Sequence, residues 1–292
     1  MRDFVIMTDS CCDLTDQMAR ELELDVVPLS LHMGEHLYQN WLDGRDIGFE
    51  DFYARIRGGE MATTSAVSVG DFEEIMRPIL TGGRDILCLC FSSALSTTYQ
   101  SACIAAQTLS EEVPEGTVRV VDTLSASLGQ GLLVYLCAQE KRRGASLEAL
   151  TAYAEATRGK VCHWFTVDDL NHLKRGGRIS ATAALFGTML SIKPILDVNA
   201  EGKLAVFDKV QGRKRALKAL VDRMEACTRK PDAYPVFITY ADCREDALLL
   251  AAMVRERFHI EIAHMNDMGP IIGGHAGPGT LALVFVSDEE KK

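Results

Sequence analysis

The sequence predicts an α/β protein of two domains, with mostly parallel sheets flanked by helices and antiparallel hairpin content in the second domain. Three observations carry this expectation. Short apolar, β-rich runs alternate with segments whose apolar residues recur at three- and four-residue spacing, which is strand and amphipathic helix in turn. The chain has 292 residues, more than one core usually holds. The stretch ILDVNAEGKLAVFDK (195–209) sets two strand-like runs around a polar turn containing glycine, the signal of a hairpin.

In order, FVIM (4–7) opens the first domain as a strand, and helical spacing follows over 15–23. DVVPLSL (25–31) reads as the next strand, with LHMGEH continuing it. A helix over 70–80, the strand DILCLCF (85–91), a helix over 97–109, the strand TVRVVD (117–122) and a helix over 127–142 complete the alternation. The boundary falls near TRGK (157–160), where a helical pattern gives way to a fresh strand, so the domains are 1–159 and 160–292. The second domain reads VCHWFTV (161–167), KPILDVN (193–199), a helix over 213–226, YPVFITY (234–240), a helix over 244–257, IEIAHM (260–265) and LALVFV (281–286).

Composition excludes several classes of function. At 47% hydrophobic and 25% charged residues the chain is globular, not disordered. A net charge of −10 opposes binding to nucleic acid, which needs Lys and Arg to neutralise phosphates. No apolar run approaches the ~18–20 residues of a membrane span, and FVIM begins a strand where a signal peptide would begin, so a cytoplasmic protein that does not span a membrane is expected. The nine cysteines show neither C-x-x-C nor zinc spacing and read as reduced core thiols. The Walker, dinucleotide, nucleophile-elbow and H-E-x-x-H motifs are absent, and neither a cofactor nor a metal site is expected. His32 and His36 are four apart but on a strand that contains glycine, and Asp9 with Asp13 reads first as a turn and cap.

In open parallel sheets ligands lie beyond the carboxyl ends of strands, so the polar groups that follow strands are the candidates. TDS (8–10), SSALSTTYQ (92–100) and Asp122 with Thr123 stand there. Ser96, with Ser93, sits where a strand turns into a helix, whose free N–H groups favour an anion; capping its own helix is the competing role. TTS (63–65) is a second hydroxyl cluster, read as preceding a helix that starts near Gly70. The stretch GPIIGGHAGPG (269–279) reads as a glycine-rich loop that holds His275 against something at close range. KRGGR (174–178) and GRKRA (212–216) are basic islands in an acidic chain.

Taken in order, TDSCCDL (8–14), TTSAVSVGDF (63–72), SSALSTTYQSA (92–102), VDTLSASLGQGLLV (121–134), LKRGGRIS (173–180), SIKPIL (191–196) and GPIIGGHAGPG resemble the DegV family of fatty-acid-binding proteins along the whole chain. The resemblance implies one long-chain fatty acid, such as palmitate, stearate or oleate, in a buried tunnel. It also implies a non-catalytic carrier role, with a separate ATP-dependent fatty acid kinase converting the bound acid to an acyl phosphate for lipid synthesis. Carried over by motif, the carboxylate ligands would be Thr64 and Ser96, with Ser93 as second choice and His275 in the same network. Arg178 would lie on the surface that the kinase approaches, with Arg213 as a further docking residue. The chain departs from the family pattern at Ala66 and Val67, at Thr97 where glycine is usual, and at Gly274 and Ala276 where threonines are common. A second expectation is a small-carbonyl-binding subunit or enzyme related to dihydroxyacetone kinase, with His275 holding the ligand.

Overall fold

The computed structural model describes residues 2–180 and 191–291. The first half runs β1 (Phe4–Asp9), α1 (Asp16–Glu21), β2 (Leu24–Val27), β3 (Ser30–Met33), β4 (His36–Gln39), α2 (Phe49–Arg57), β5 (Ala62–Ser65), α3 (Val69–Thr81), β6 (Asp85–Cys90), α4 (Thr98–Glu112), β7 (Val118–Asp122), α5 (Leu128–Arg142) and α6 (Leu147–Arg158). The second half runs β8 (Val161–Thr166), α7 (Asn171–Arg175), β9 (Ile192–Val198), β10 (Leu204–Gln211), α8 (Arg213–Cys227), β11 (Phe237–Tyr240), α9 (Arg244–Phe258), β12 (His264–Asp267), α10 (Pro270–Ala276) and β13 (Leu281–Val286). No helix among the described residues is long and apolar enough to cross a membrane.

Strands β2-β1-β6-β7 form a parallel sheet, as the alternation predicts. The run 25–31 does not stay in that sheet as one strand. Pro28 lacks an N–H to donate, so pairing with β1 stops at Val27 and the chain leaves to start β3. Strands β4-β3-β5 make a separate antiparallel sheet that the sequence did not suggest, and TTS (63–65) lies within its β5. The cap of α3 is instead Ser68, which forms a reciprocal capping box with Asp71.

The second sheet, β10-β9-β8-β13-β11-β12, includes the expected hairpin, with Val198 opposite Leu204. Antiparallel pairing goes further than that hairpin: β8, β13 and β11 are also antiparallel neighbours, and β11–β12 is the parallel pair. β12 begins later than IEIAHM suggests. His259 takes a left-handed conformation at the end of α9, and Ile260 and Ile262 pack onto the core before pairing begins at His264. β13 is apolar throughout because both its faces are covered. Ala282, Val284 and Val286 join the core that reaches into the first half, while Leu281, Leu283 and Phe285 join the core under α8 and α9.

Helix α5 lies between the two large sheets, against β1 and β6 on one side and β8, β11 and β13 on the other. Ten of its residues, from Leu128 to Ala138, are buried, which leaves no polar face over that length. The approach is close enough to exclude a methyl group. A Cβ at Gly129 would stand 1.5 Å from His163 Nε2, and one at Gly131 would stand 2.5 Å from the Cys12 carbonyl oxygen. Gly70 in α3 is the contrast, since its nearest neighbour would be 3.9 Å away. In an open helix Gly→Ala stabilises by up to ~1 kcal/mol, whereas forcing atoms into a packed core costs about 1–3 kcal/mol or more. Gly70→Ala is therefore expected to raise the urea midpoint and Gly129→Ala to lower it. Equal shifts of one sign in the two variants would show that the wedge around α5 is not tight.

Candidate binding site

The stretch at 269–279 is not a loop but a short helix. Pro270 occupies its first turn, where a missing N–H costs nothing, and Gly277 ends it at φ 81°. Its other glycines serve close approach. A Cβ at Gly273 would lie 2.3 Å from Tyr53 Oη, and Gly176 on the facing loop would put a Cβ 2.2 Å from His275 Nδ1. α10 thus seats between α2 and α7, and Tyr53 Oη donates to the Met268 carbonyl at 2.6 Å.

This seating brings His275 Nε2 to 2.8 Å from Thr64 Oγ1. The alternation of β5 turns Thr64 inward while Thr63 and Ser65 face out. Burial, then the charge of nearby Arg178, lowers the His275 pKa to about 4, so the ring is neutral at neutral pH. Arg178 is half-buried, and its Nε and Nη1 donate to the Leu95 and Gly176 carbonyls. Ser96 follows Leu95 directly, and Thr64, His275, Arg178 and Ser96 make up a cluster of polar residues only in the sense that all four line one cavity. The Ser96 hydroxyl accepts from the Thr98 amide at 3.2 Å and bonds the Thr98 hydroxyl at 2.9 Å.

The cluster lines a cavity of about 450 Å³, a size usual for small-molecule sites. The remaining walls are mainly apolar: Leu29, Phe91 and Leu95 from the first half, Phe165, Val198, Leu204 and Ala282 from the second sheet, and Met268, Ile271 and Ile272 around α10. A family model described as "Uncharacterised protein, DegV family" matches residues 3–288. A DegV domain-containing protein of Clostridium perfringens is 43% identical over 291 residues, covering 100% of both chains.

The chain belongs to the DegV family.

Two solved DegV structures are similar over nearly all of this chain. One, described as showing fatty acid binding of a DegV family protein from Thermus thermophilus, has a TM-score of 0.86 at 31% identity and covers 98% of this chain and 100% of its own. The other, a DegV lipid-binding protein from Thermotoga maritima, has a TM-score of 0.85 at 27% identity and covers 99% and 100%.

In this DegV chain the candidate residues Thr64, Ser93, Ser96 and His275 all line the same cavity. The Ser93 hydroxyl has no partner among the described residues, and its amide donates to Asp122 Oδ1. Arg178 departs from expectation. It stands in the cavity wall, not free on the surface, because its two carbonyl acceptors pin the guanidinium inward. Arg213 is held by Asp246 at 2.8 Å and lies 3.7 Å from Asp168, away from the cavity lining. Sequence reasoning missed His163, which also lines the cavity and packs on Gly129. The apolar strand VCHWFTV carries no local mark of that role.

Asp9 and Asp13 act as turn and tie. Asp9 accepts from the Cys11 and Phe91 amides. Asp13 is fully enclosed; it accepts from the Ser127 hydroxyl and, at 3.0 Å, from the Gly269 amide that precedes α10. Its backbone carbonyl accepts from Asn266 Nδ2 at 2.8 Å. Burial outweighs these donors and pushes its pKa up to about 7 from an ordinary 3.8.

The sign of the linkage follows from that shift. Between about pH 4 and pH 7 the folded chain holds a proton that the unfolded chain releases, so this group's contribution to stability falls as pH rises. In Asp13→Asn an amide replaces the protonated carboxyl and cannot ionise. The stability of the variant relative to the parent is expected to increase from pH 5.5 to pH 8 in urea denaturation. A constant difference would show that Asp13 is ionised throughout.

Proposed function

We propose that this protein holds one long-chain fatty acid, such as palmitate, stearate or oleate, in the cavity between the domains 1–159 and 160–292. The acid's carboxylate is placed at Thr64, Ser93, Ser96 and His275. The protein then presents that carboxylate to a separate ATP-dependent fatty acid kinase of the cytoplasm, which makes an acyl phosphate for lipid synthesis, and the carrier itself is not the catalyst. One observation carries the reading: a cavity with mainly apolar walls includes a compact cluster of hydroxyls, a neutral histidine and one arginine. The fatty-acid- and lipid-binding relatives support it.

The energetics agree. Burying a sixteen-carbon chain is worth on the order of 12 kcal/mol at ~0.8 kcal/mol per methylene, before the costs of association. A carboxylate taken from water needs donors, and the hydroxyl cluster supplies them. In the kinase reaction a carboxylate oxygen forms the new bond to the γ-phosphorus, and ADP leaves with the electron pair of the broken bond. For kinase docking we assign Arg213, at the head of a basic groove with Lys214, Arg215 and Lys218.

Mass spectrometry of an organic extract, from protein purified without detergent, is expected to find about one fatty acid per chain. Thr64→Val and His275→Ala should each weaken palmitate binding roughly tenfold or more, since a hydrogen bond to a charged group is worth about 1.5–3 kcal/mol. A protein that neither carries nor takes up palmitate or oleate, but binds dihydroxyacetone through His275, would replace this reading with the small-carbonyl one.

A further inference from the structure

Two cysteines of the second half meet on a pocket apart from the Thr64–His275 pair. Cys162 lies on β8 and Cys227 closes α8, and both line a space of about 740 Å³ beside the end of that helix. Alternation along β8 turns Cys162 and Trp164 toward α8, while Phe165 joins the core on the opposite face. The two thiols come within hydrogen-bond reach of each other.

Three donors converge on the Cys227 sulfur: the Cys162 S–H, the Arg223 guanidinium and the Trp164 indole N–H. Arg223 is itself set by two rings, its Cζ lying 4.4 Å from the Trp164 centroid and 4.3 Å from that of Phe207. The bond from Cys162, and then the charge of Arg223, hold the Cys227 thiol below its ordinary range in spite of burial. The same bond favours the protonated form of Cys162 and raises it. The other cysteines lack this combination. Cys11, Cys12, Cys88, Cys90 and Cys137 are buried, and burial raises the half-buried thiols of Cys103 and Cys243. A second close pair, Cys88 and Cys90 at 3.5 Å, is wholly enclosed on β6, where no solute reaches it. A reachable sulfur among donors, with a second thiol against it, is suited to reduce a peroxide.

We propose that Cys227 and Cys162 form a redox site that takes a hydroperoxide, such as hydrogen peroxide, and closes to a disulfide. The Cys227 thiolate attacks one peroxide oxygen. The O–O bond breaks, Cys227 becomes a sulfenic acid, and the departing hydroxide takes up the Cys227 proton to leave as water. The Cys162 sulfur then attacks the Cys227 sulfur, the S–O bond breaks, and the hydroxyl leaves with the Cys162 proton as a second water. Two thiols are oxidised and one peroxide is reduced. The disulfide staples the end of α8 to β8, and the site stands independently of the acyl-carrier reading.

The test uses the full chain, reduced and then freed of reductant, with hydrogen peroxide in small excess at neutral pH. Intact mass is expected to fall by two hydrogens, peptide mapping to join Cys162 to Cys227, and dithiothreitol to reverse both changes. Cys162→Ser should stop at a sulfenic acid on Cys227 that dimedone captures, and Cys227→Ser should lose the rapid reaction. Arg223→Gln should slow the first step while leaving the final cross-link the same, which separates a role in activating the sulfur from one in folding. A cross-link between other cysteines, first oxidation at Cys103 or Cys243, or a Cys227→Ser chain that reacts as fast as the parent would overturn the site. Palmitate binding decides the carrier reading separately.

Discussion

The tight burial of α5 between the two large sheets is the constraint on which the rest of the molecule depends. A helix enclosed over ten residues cannot rotate or slide without opening voids on both sides, so it sets the spacing of the sheets. Gly129 and Gly131 set how small that spacing is. Ser127, just before the helix, donates to Asp13, and Asp13 accepts from the amide before α10. The wedge that positions the sheets is therefore tied by one carboxyl to the helix that carries His275. The candidate site is a consequence of how the two halves meet, not a local feature of either.

This arrangement also governs the electrostatics. His275 reaches Thr64 because α10 is pressed against α2 and α7 at its glycines, and the same pressing removes water from the ring and holds it neutral. A neutral histidine offers a hydrogen bond without a full charge. The remaining charge at the cluster is then Arg178, fixed by backbone carbonyls and so unable to follow a ligand as a surface arginine would.

Much of this was legible in the chain, and the failures have physical causes. The parallel sheet and the 195–209 hairpin follow from apolar periodicity, and the ordered motifs led to the family. The sheet of β3, β4 and β5 was hidden because each strand has only four residues, too few to establish a period. α10 was hidden for a different reason. Helix propensity argues against PIIGGHA, and its helical form comes from packing on Tyr53 and the 176 loop, which no local pattern records. The proximity of Thr64 and His275 was anticipated, whereas the inward turn of Arg178 was not. Its cause is a pair of backbone acceptors, one of them 83 residues away.

Asp13 gives a measure of what Arg178 does. It is a buried carboxyl with two donors and no cation beside it, and its pKa rises to about 7, so near neutrality much of it stays protonated. On the proposed carrier function, a fatty acid head in the cavity meets comparable desolvation and similar neutral donors. Left with these alone it would keep its proton, and a protonated acid is a poor nucleophile toward phosphorus. One fixed guanidinium in the wall favours the ionised form, while its bonds to Leu95 and Gly176 keep it from closing a full bidentate pair on the ligand. On that proposed function the site combines positive charge that favours the ionised acid with neutral bonding that leaves an oxygen free to react.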